Sequence, residues 1–257
     1  MIDEGEFREV LEGAAALAKR AARGKPPRVR MGKEVAELLA GLRGGPPPVS
    51  AAAQASDGKQ APSAGNGGEE SLAGIAAEVR ACAKCPLHEL RNNAVPGEGN
   101  PSADLVFVGE APGADEDRQG RPFVGRAGQL LTDIIVKGMK MTREQVFICN
   151  VLKCRPPDNR TPGPDEVFHC EPYLIRQLQL IRPKVICALG GVAAQTLLKS
   201  EATVGSLRGK WHNYHGIPLR VTYHPAYLLR SPGEKAKAWL DIQEVMKLLA
   251  GQIPPPF

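Results

Sequence analysis

Aromatic residues are scarce in this 257-residue chain: Phe, Tyr and Trp make up 5% of it, with only two tryptophans. Any core must therefore be aliphatic, and a hydrophobic content of 42% can supply one. Long apolar runs are missing as well. No stretch approaches the roughly 20 residues of a membrane-spanning helix. The opening MIDEGEFREV is acidic where a secretory signal would be basic and then apolar, so a cytosolic (cytoplasmic) location is expected. In that compartment six cysteines do not imply a disulfide framework, and metal ligation or simple burial are the better readings. A strong charge bias is lacking too. A net charge of +5 permits contact with a polyanion without requiring it.

What is present falls into three parts. Residues 1–43 read as helical: Phe7, Val10, Leu11, Ala14, Leu17, Ala18 and Ala21 recur at helix spacing, and so do Val35, Leu38, Leu39 and Leu42. The prolines of KPPRVR break the two runs apart. Residues 44–70 are Pro, Gly, Ala and Ser with almost nothing bulky, so they cannot offset their ordering entropy and are expected to form a disordered linker. From about Ser71 to the end at Phe257, short apolar runs alternate with helical patterns. DLVFVGE, VFICN, KVICALG and PLRVTYH fit four buried strands. RAGQLLTDIIVKGM, PDEVFHCEPYLIRQLQLI, GVAAQTLLK and KAWLDIQEVMKLL fit helices. The expectation is an α/β fold of three layers, with a mainly parallel four-stranded sheet between helices. Ligands of such sheets bind outside the carboxyl ends of the strands. Gly109 with Glu110, Asn150 and His224 all lie at such ends.

Cys82 and Cys85 form a C-x-x-C, and Cys154 and Cys170 follow far downstream, all outside the apolar strand runs. Cys149 and Cys187 lie inside strands and read as core, where a free cysteine packs as a small hydrophobe. Four thiolates can hold zinc or an iron–sulfur cluster, and spacing alone does not choose between them.

Three motifs carry chemistry. In GEAPGADEDRQGRPFVGRAGQLL a strand end runs into a Gly/Pro turn, whose exposed amides can meet a carbonyl or phosphate oxygen. The turn matches neither the dinucleotide fingerprint nor the P-loop. Phe123, in its polar loop, reads either as a stacking platform or as an anchor packing the loop down. Asn150 closes VFICN and could simply cap a turn. Its carboxamide also offers a donor and an acceptor side by side, which can separate uracil from cytosine because the wrong base leaves buried polar groups unpaired. His224 opens HPAYLLR and reads as structural or as a hydrogen-bond donor to a developing anion. Leu228 and Leu229 look like exposed apolar residues on a loop, suited to a wedge between base steps.

GEAPG, RPFVG, NVLKCRPP and HPAYLLR, in this order and with these four cysteines, resemble the family 4 (iron–sulfur) uracil-DNA glycosylases over about residues 71–250. The resemblance implies a 4Fe-4S cluster on Cys82, Cys85, Cys154 and Cys170, uracil-containing DNA as substrate, and hydrolysis of the uracil–deoxyribose bond after the base is flipped out. By the same resemblance Phe123 stacks on the base and Asn150 reads its O4/N3 edge. His224 bonds uracil O2 and stabilises the departing anion. Backbone amides near Glu110 to Gly113 help hold the base, with Ala111, Pro112 and Gly113 lining it, Leu228 is the wedge, and Arg230, Arg121 and Arg126 contact phosphates. Other uracil glycosylases carry aspartate where this turn has Ala111, so Glu110 is expected to place the water. Gly113 stands where some relatives place a bulky group that excludes thymine, and Glu116 is expected to take that task. No lysine is placed by a motif for a lyase step, and the cluster is expected to be structural. The protein is expected to act as a monomer.

Rival readings are a related family of broader range that also excises hypoxanthine, a branch that traps DNA through a histidine in an inserted loop, and a non-catalytic metal-stapled DNA-binding module. The NVLKCRPPDNRTPG stretch carries no such histidine. Residues 1–43, which the family normally lacks, are left open between docking a protein partner, contacting DNA and serving neither.

Overall fold

The computed structural model describes residues 70–257. The helical extension expected over residues 1–43, and all but the last residue of the expected linker, lie outside the described residues.

The four apolar runs form the centre of one sheet: β2 (Leu105–Gly109), β3 (Phe147–Asn150), β4 (Val185–Leu189) and β6 (Ile217–Thr222), all parallel. The sheet is wider than expected. Two antiparallel edge strands, β1 (Glu98–Gly99) on β3 and β5 (Trp211–Tyr214) on β6, bring it to six in the order β1-β3-β2-β4-β6-β5. β2 and β4 are buried along their whole length, so both faces of the sheet must be covered. On one face Val106, Val108, Cys149, Ile186 and Val221 pack against Leu174, Leu178 and Ile181 of α5 (Pro164–Ile181) and Ala193, Ala194 and Leu197 of α6 (Gly191–Leu198). On the other, Phe107, Ile148 and Cys187 meet Leu131 of α4 (Arg126–Asp133) and Trp239, Ile242 and Val245 of α9 (Lys235–Leu249). Cys149 and Cys187 are thus core residues, on opposite faces.

The expected helix after Arg126 is α-helical only to Asp133 and widens into a π turn over Ile134–Gly138. Further helices are α1 (Leu72–Ala81), α2 (Leu87–Leu90), α3 (Ala114–Gln119), α7 (Val204–Leu207) and α8 (Pro225–Arg230). The last of these corrects an expectation. HPAYLLR is a helix with Pro225 in its first turn, rather than a loop. Helical geometry turns Leu228 inward, where it is 2% exposed and packs with Leu130 and Ala238. A buried core residue cannot serve as a wedge. Tyr227 and Leu229 are the large apolar side chains of α8 that face solvent. No helix among the described residues is long and apolar enough to cross a membrane.

Chain order puts β3 and β4 on opposite sides of β2, so the connections diverge at the carboxyl end of β2 and open a crevice there. A second hydrophobic cluster of Ile75, Val79, Leu87, Leu152 and Tyr173 sits beside the sheet and carries the outlying cysteines.

Candidate active site

At that crevice lies an open cleft lined by Glu110 to Gly113, Glu116, Phe123, Asn150, His224 and Arg230. Backbone pairing outlasts the strands here: Val151 N donates to Gly109 O at 2.9 Å and Leu152 N to Glu110 O at 3.0 Å. This ties the end of β3 to the first turn and fixes Asn150 beside Gly109, its partner in register. Gly109 has to lack a side chain, because a Cβ there would collide with both Asn150 Oδ1 and the Phe123 ring. Asn150 is 2% exposed, and its Oδ1 is buried without a hydrogen-bond partner. Such an acceptor is costly in a folded protein. It is an unmet demand for an N–H donor on a residue that lines the cleft.

Phe123 has φ +52, a left-handed conformation rare and strained for a bulky residue. Two charged side chains hold its loop there. Glu116 Oε1 accepts from Val124 N at 2.8 Å and Gly125 N at 2.9 Å, while its Oε2 accepts from Gly113 N at 3.1 Å. Arg143 donates to Pro122 O at 2.8 Å and Phe123 O at 3.1 Å, and also to Thr132 Oγ1 and Glu98 Oε1. Helix α4 presses from the third side, since a Cβ on Gly128 would run into the Phe123 carbonyl. The ring centroid then lies 5.7 Å from that of His224. One expectation changes as a result. The Gly113 amide is committed to Glu116, so it is not free to hold a ligand.

Replacing Arg143 by Met should release the strained loop. We expect kcat/KM to fall by about ten- to a hundredfold, the range for losing a charged hydrogen-bond network. Steady-state kinetics beside a urea melt check this, and full activity in the variant would mean that Glu116 alone holds the loop.

His224 is the N-cap of α8, and its Nδ1 accepts from Ala226 N at 3.1 Å. That bond places the proton of the neutral ring on Nε2. Burial, and then the Arg230 charge, lower its pKa to about 4, so the ring is neutral at physiological pH. Glu110 is half-buried at the turn, and desolvation raises its carboxyl above the usual range. Arg230 is exposed at the cleft. Arg126 is exposed at the start of α4 and does not line the cleft. Arg121 is held by Glu98 at 2.8 Å. Burial alone would raise the Glu98 carboxyl, but its bonds to Arg121 and Arg143 hold it below the usual range.

Sequence reasoning missed Asn159 and Arg160, which also line the cleft. Arg160 is braced by a bidentate pair with Glu166 at 2.6 and 2.9 Å. Two successive left-handed residues, Asp158 and Asn159, turn the chain toward the cleft.

The four outlying cysteines come together. Cys82, Cys85, Cys154 and Cys170 line one small pocket beside the sheet. Arg91 Nη1 donates to Cys154 Sγ at 3.0 Å, and Lys153 N donates to Cys170 Sγ at 3.1 Å. Burial pushes the Cys170 thiol up to about 12 and raises that of Cys154. Among the described residues, no group of three or more His, Cys, Asp or Glu is arranged to hold a single metal ion.

The family described as the uracil DNA glycosylase superfamily matches residues 96–243. A type-4 uracil-DNA glycosylase of Saccharolobus solfataricus is 46% identical over 186 residues, covering 69% of this chain and 86% of the relative. One from Archaeoglobus fulgidus is 44% identical over 196 residues, covering 73% and 98%. A type-5 uracil-DNA glycosylase of Pyrobaculum aerophilum is 32% identical over 150 residues, covering 52% and 66%.

Proposed function

The chain belongs to the type-4 branch of the uracil DNA glycosylase superfamily, and we propose that it hydrolyses the N-glycosidic bond of uracil in DNA, leaving an abasic site without cutting the strand. The observation that carries the base assignment is the orphaned Asn150 Oδ1. Uracil N3–H is the donor it lacks. Cytosine has an acceptor at that position and would leave two buried acceptors facing each other.

In this reading the flipped base slides between Phe123 and the first turn, with Asn150 along its O4/N3 edge. The neutral His224 ring donates from Nε2 to uracil O2. The bond strengthens as negative charge grows on the leaving base, which is where a preorganised donor accelerates most. Glu110 stands at the cleft to polarise the attacking water. The fixed Glu116 carboxylate walls the side where a thymine methyl would enter. Arg230 and Arg160 flank the mouth, where a phosphate backbone would pass, and Arg126 and Arg121 lie further out along it. A wedge comes from Tyr227 or Leu229 on the exposed side of α8.

Four cysteines are a donor set that can hold either zinc or an iron–sulfur cluster, and the likeness to type-4 uracil-DNA glycosylases favours the cluster. We therefore assign Cys82, Cys85, Cys154 and Cys170 to a 4Fe-4S cluster. When bound it would cross-link the α1–α2 segment to α5; glycosidic hydrolysis moves no electrons, and no step needs it. Thiolate ligation of iron suits the reducing cytoplasm, and one cleft collects Glu110, Glu116, Phe123, Asn150 and His224 from a single chain, which supports action as a monomer.

The test is base release from matched oligonucleotides carrying U, T or hypoxanthine, with iron and sulfide content measured on the same preparation. Release from U alone, with alkali-labile but uncut strands, is expected. Release of hypoxanthine would favour the broader-range reading, and DNA binding without release would leave only a binding module.

A further inference from the structure

Lys153 is among the most deeply buried side chains of the protein, at 1% exposure. Lysine is almost never fully buried without a partner of opposite charge. Its ammonium donates to Asn150 O at 2.8 Å and to Gln177 Oε1 at 2.7 Å, both neutral acceptors. Among the described residues no carboxylate pairs with it. Lys153 does, however, line the cysteine cavity. Its own amide donates to Cys170 Sγ, the next residue is Cys154, and its carbonyl accepts from Val95 N at 2.7 Å. Gln177 is fixed in turn by donating to Pro96 O at 2.8 Å. One residue therefore touches both sites: its backbone meets a cysteine sulfur and its side chain grips the backbone of the base-facing asparagine.

We propose that Lys153 is a positioning residue whose ammonium is the charge partner of the cysteine centre, so that a filled centre keeps Asn150 aimed at the base. The proposal rests on the 4Fe-4S assignment above. Four thiolates around such a core carry net negative charge, which is the countercharge the ammonium otherwise lacks. With that charge in place the side chain stays extended between Gln177 and the Asn150 carbonyl. Without it, a buried unpaired cation is driven toward solvent, and the Asn150 carbonyl loses its donor.

The test uses the full-length chain purified with its metal. Iron and sulfide are measured first, and a protein holding zinc or no metal overturns the cofactor assignment and this proposal with it. With iron present, Lys153→Met is compared with Gln177→Glu, which gives the ammonium a carboxylate partner while leaving its bond to Asn150. Removing or neutralising the positive charge should move the midpoint potential of the centre to more negative values in both variants. Uracil release by Lys153→Met should fall about ten- to a hundredfold, the usual cost of losing an outer-shell partner, with affinity for abasic DNA kept. Gln177→Glu should retain uracil release within about threefold and remains informative if Lys153→Met does not fold. An unchanged potential in either variant overturns the charge pairing. A shifted potential with normal uracil release by Lys153→Met overturns the link to Asn150.

Discussion

Replacing Asn150 by Ala should abolish uracil release while leaving the free protein no less stable. The two halves of this expectation have one cause. In the free protein Asn150 Oδ1 is buried and unpartnered, a defect worth about 1–3 kcal/mol. Removing it relieves that cost and offsets much of the packing lost with the carboxamide. In the proposed complex the same atom would be the acceptor for N3–H, and sites built to hydrogen-bond a substrate lose about four orders of magnitude when the pairing fails. We expect kcat/KM on uracil DNA to fall by about a thousandfold or more, with the urea midpoint within error of the parent. A variant that melts early but still releases uracil would make Asn150 a structural turn residue. Single-turnover kinetics on one preparation, alongside the melt, separates the outcomes.

Much of this site could be read in the sequence because its parts are local. β2 and β4 are unbroken apolar runs, and a glycine turn, an asparagine and a histidine at three strand ends mark a crevice before any coordinates exist. The edge strands were harder. Glu98–Gly99 is two residues long, too short for any periodicity. Trp211–Tyr214 did carry a signal, since His215 and Gly216 both take positive φ and join β5 to β6 as a tight hairpin. The first-turn proline of HPAYLLR was a helix-start signal too, and using it would have turned Leu228 inward and left Tyr227 and Leu229 outside. Arg143 and Lys153 were not legible. Arg143 acts on carbonyls 20 and 21 residues away, and nothing local distinguishes it from a solvated charge. Lys153 reads as the basic flank of a cysteine, and only three-dimensional packing reveals a buried cation between the cleft and the thiols.

His224 sets the other large effect, and pH separates its role from that of Glu110. Changing it to Asn keeps a side-chain acceptor for the α8 N-terminus, since asparagine is a good N-cap, but removes the ring donor. We expect kcat to drop about 10²- to 10³-fold, as for loss of one oxyanion donor, with little loss of stability. In the parent protein protonation would have to occur at Nδ1, which faces the Ala226 N–H, and the ring resists it until the pH nears 4. Because the folded pKa lies below the unfolded value of 6.5, the unfolded chain binds the proton first as pH falls. His224 therefore costs no stability above pH 6.5 and destabilises the fold progressively between 6.5 and about 4. Activity should stay flat through that upper range instead of falling near 6.5. Glu110, raised above its usual 4.5 by burial, must be ionised to polarise water, so the acid limb of kcat/KM should lie above 4.5 and belong to it. Glu110→Gln should lower the plateau and move the limb down toward the His224 value. A limb at 6.5 in the parent would mean a solvated, protonatable histidine and would remove the neutral-donor mechanism. A limb that ignores Glu110→Gln would leave the water without a carboxylate base, and the acceleration would then rest on anion stabilisation by His224 and Asn150.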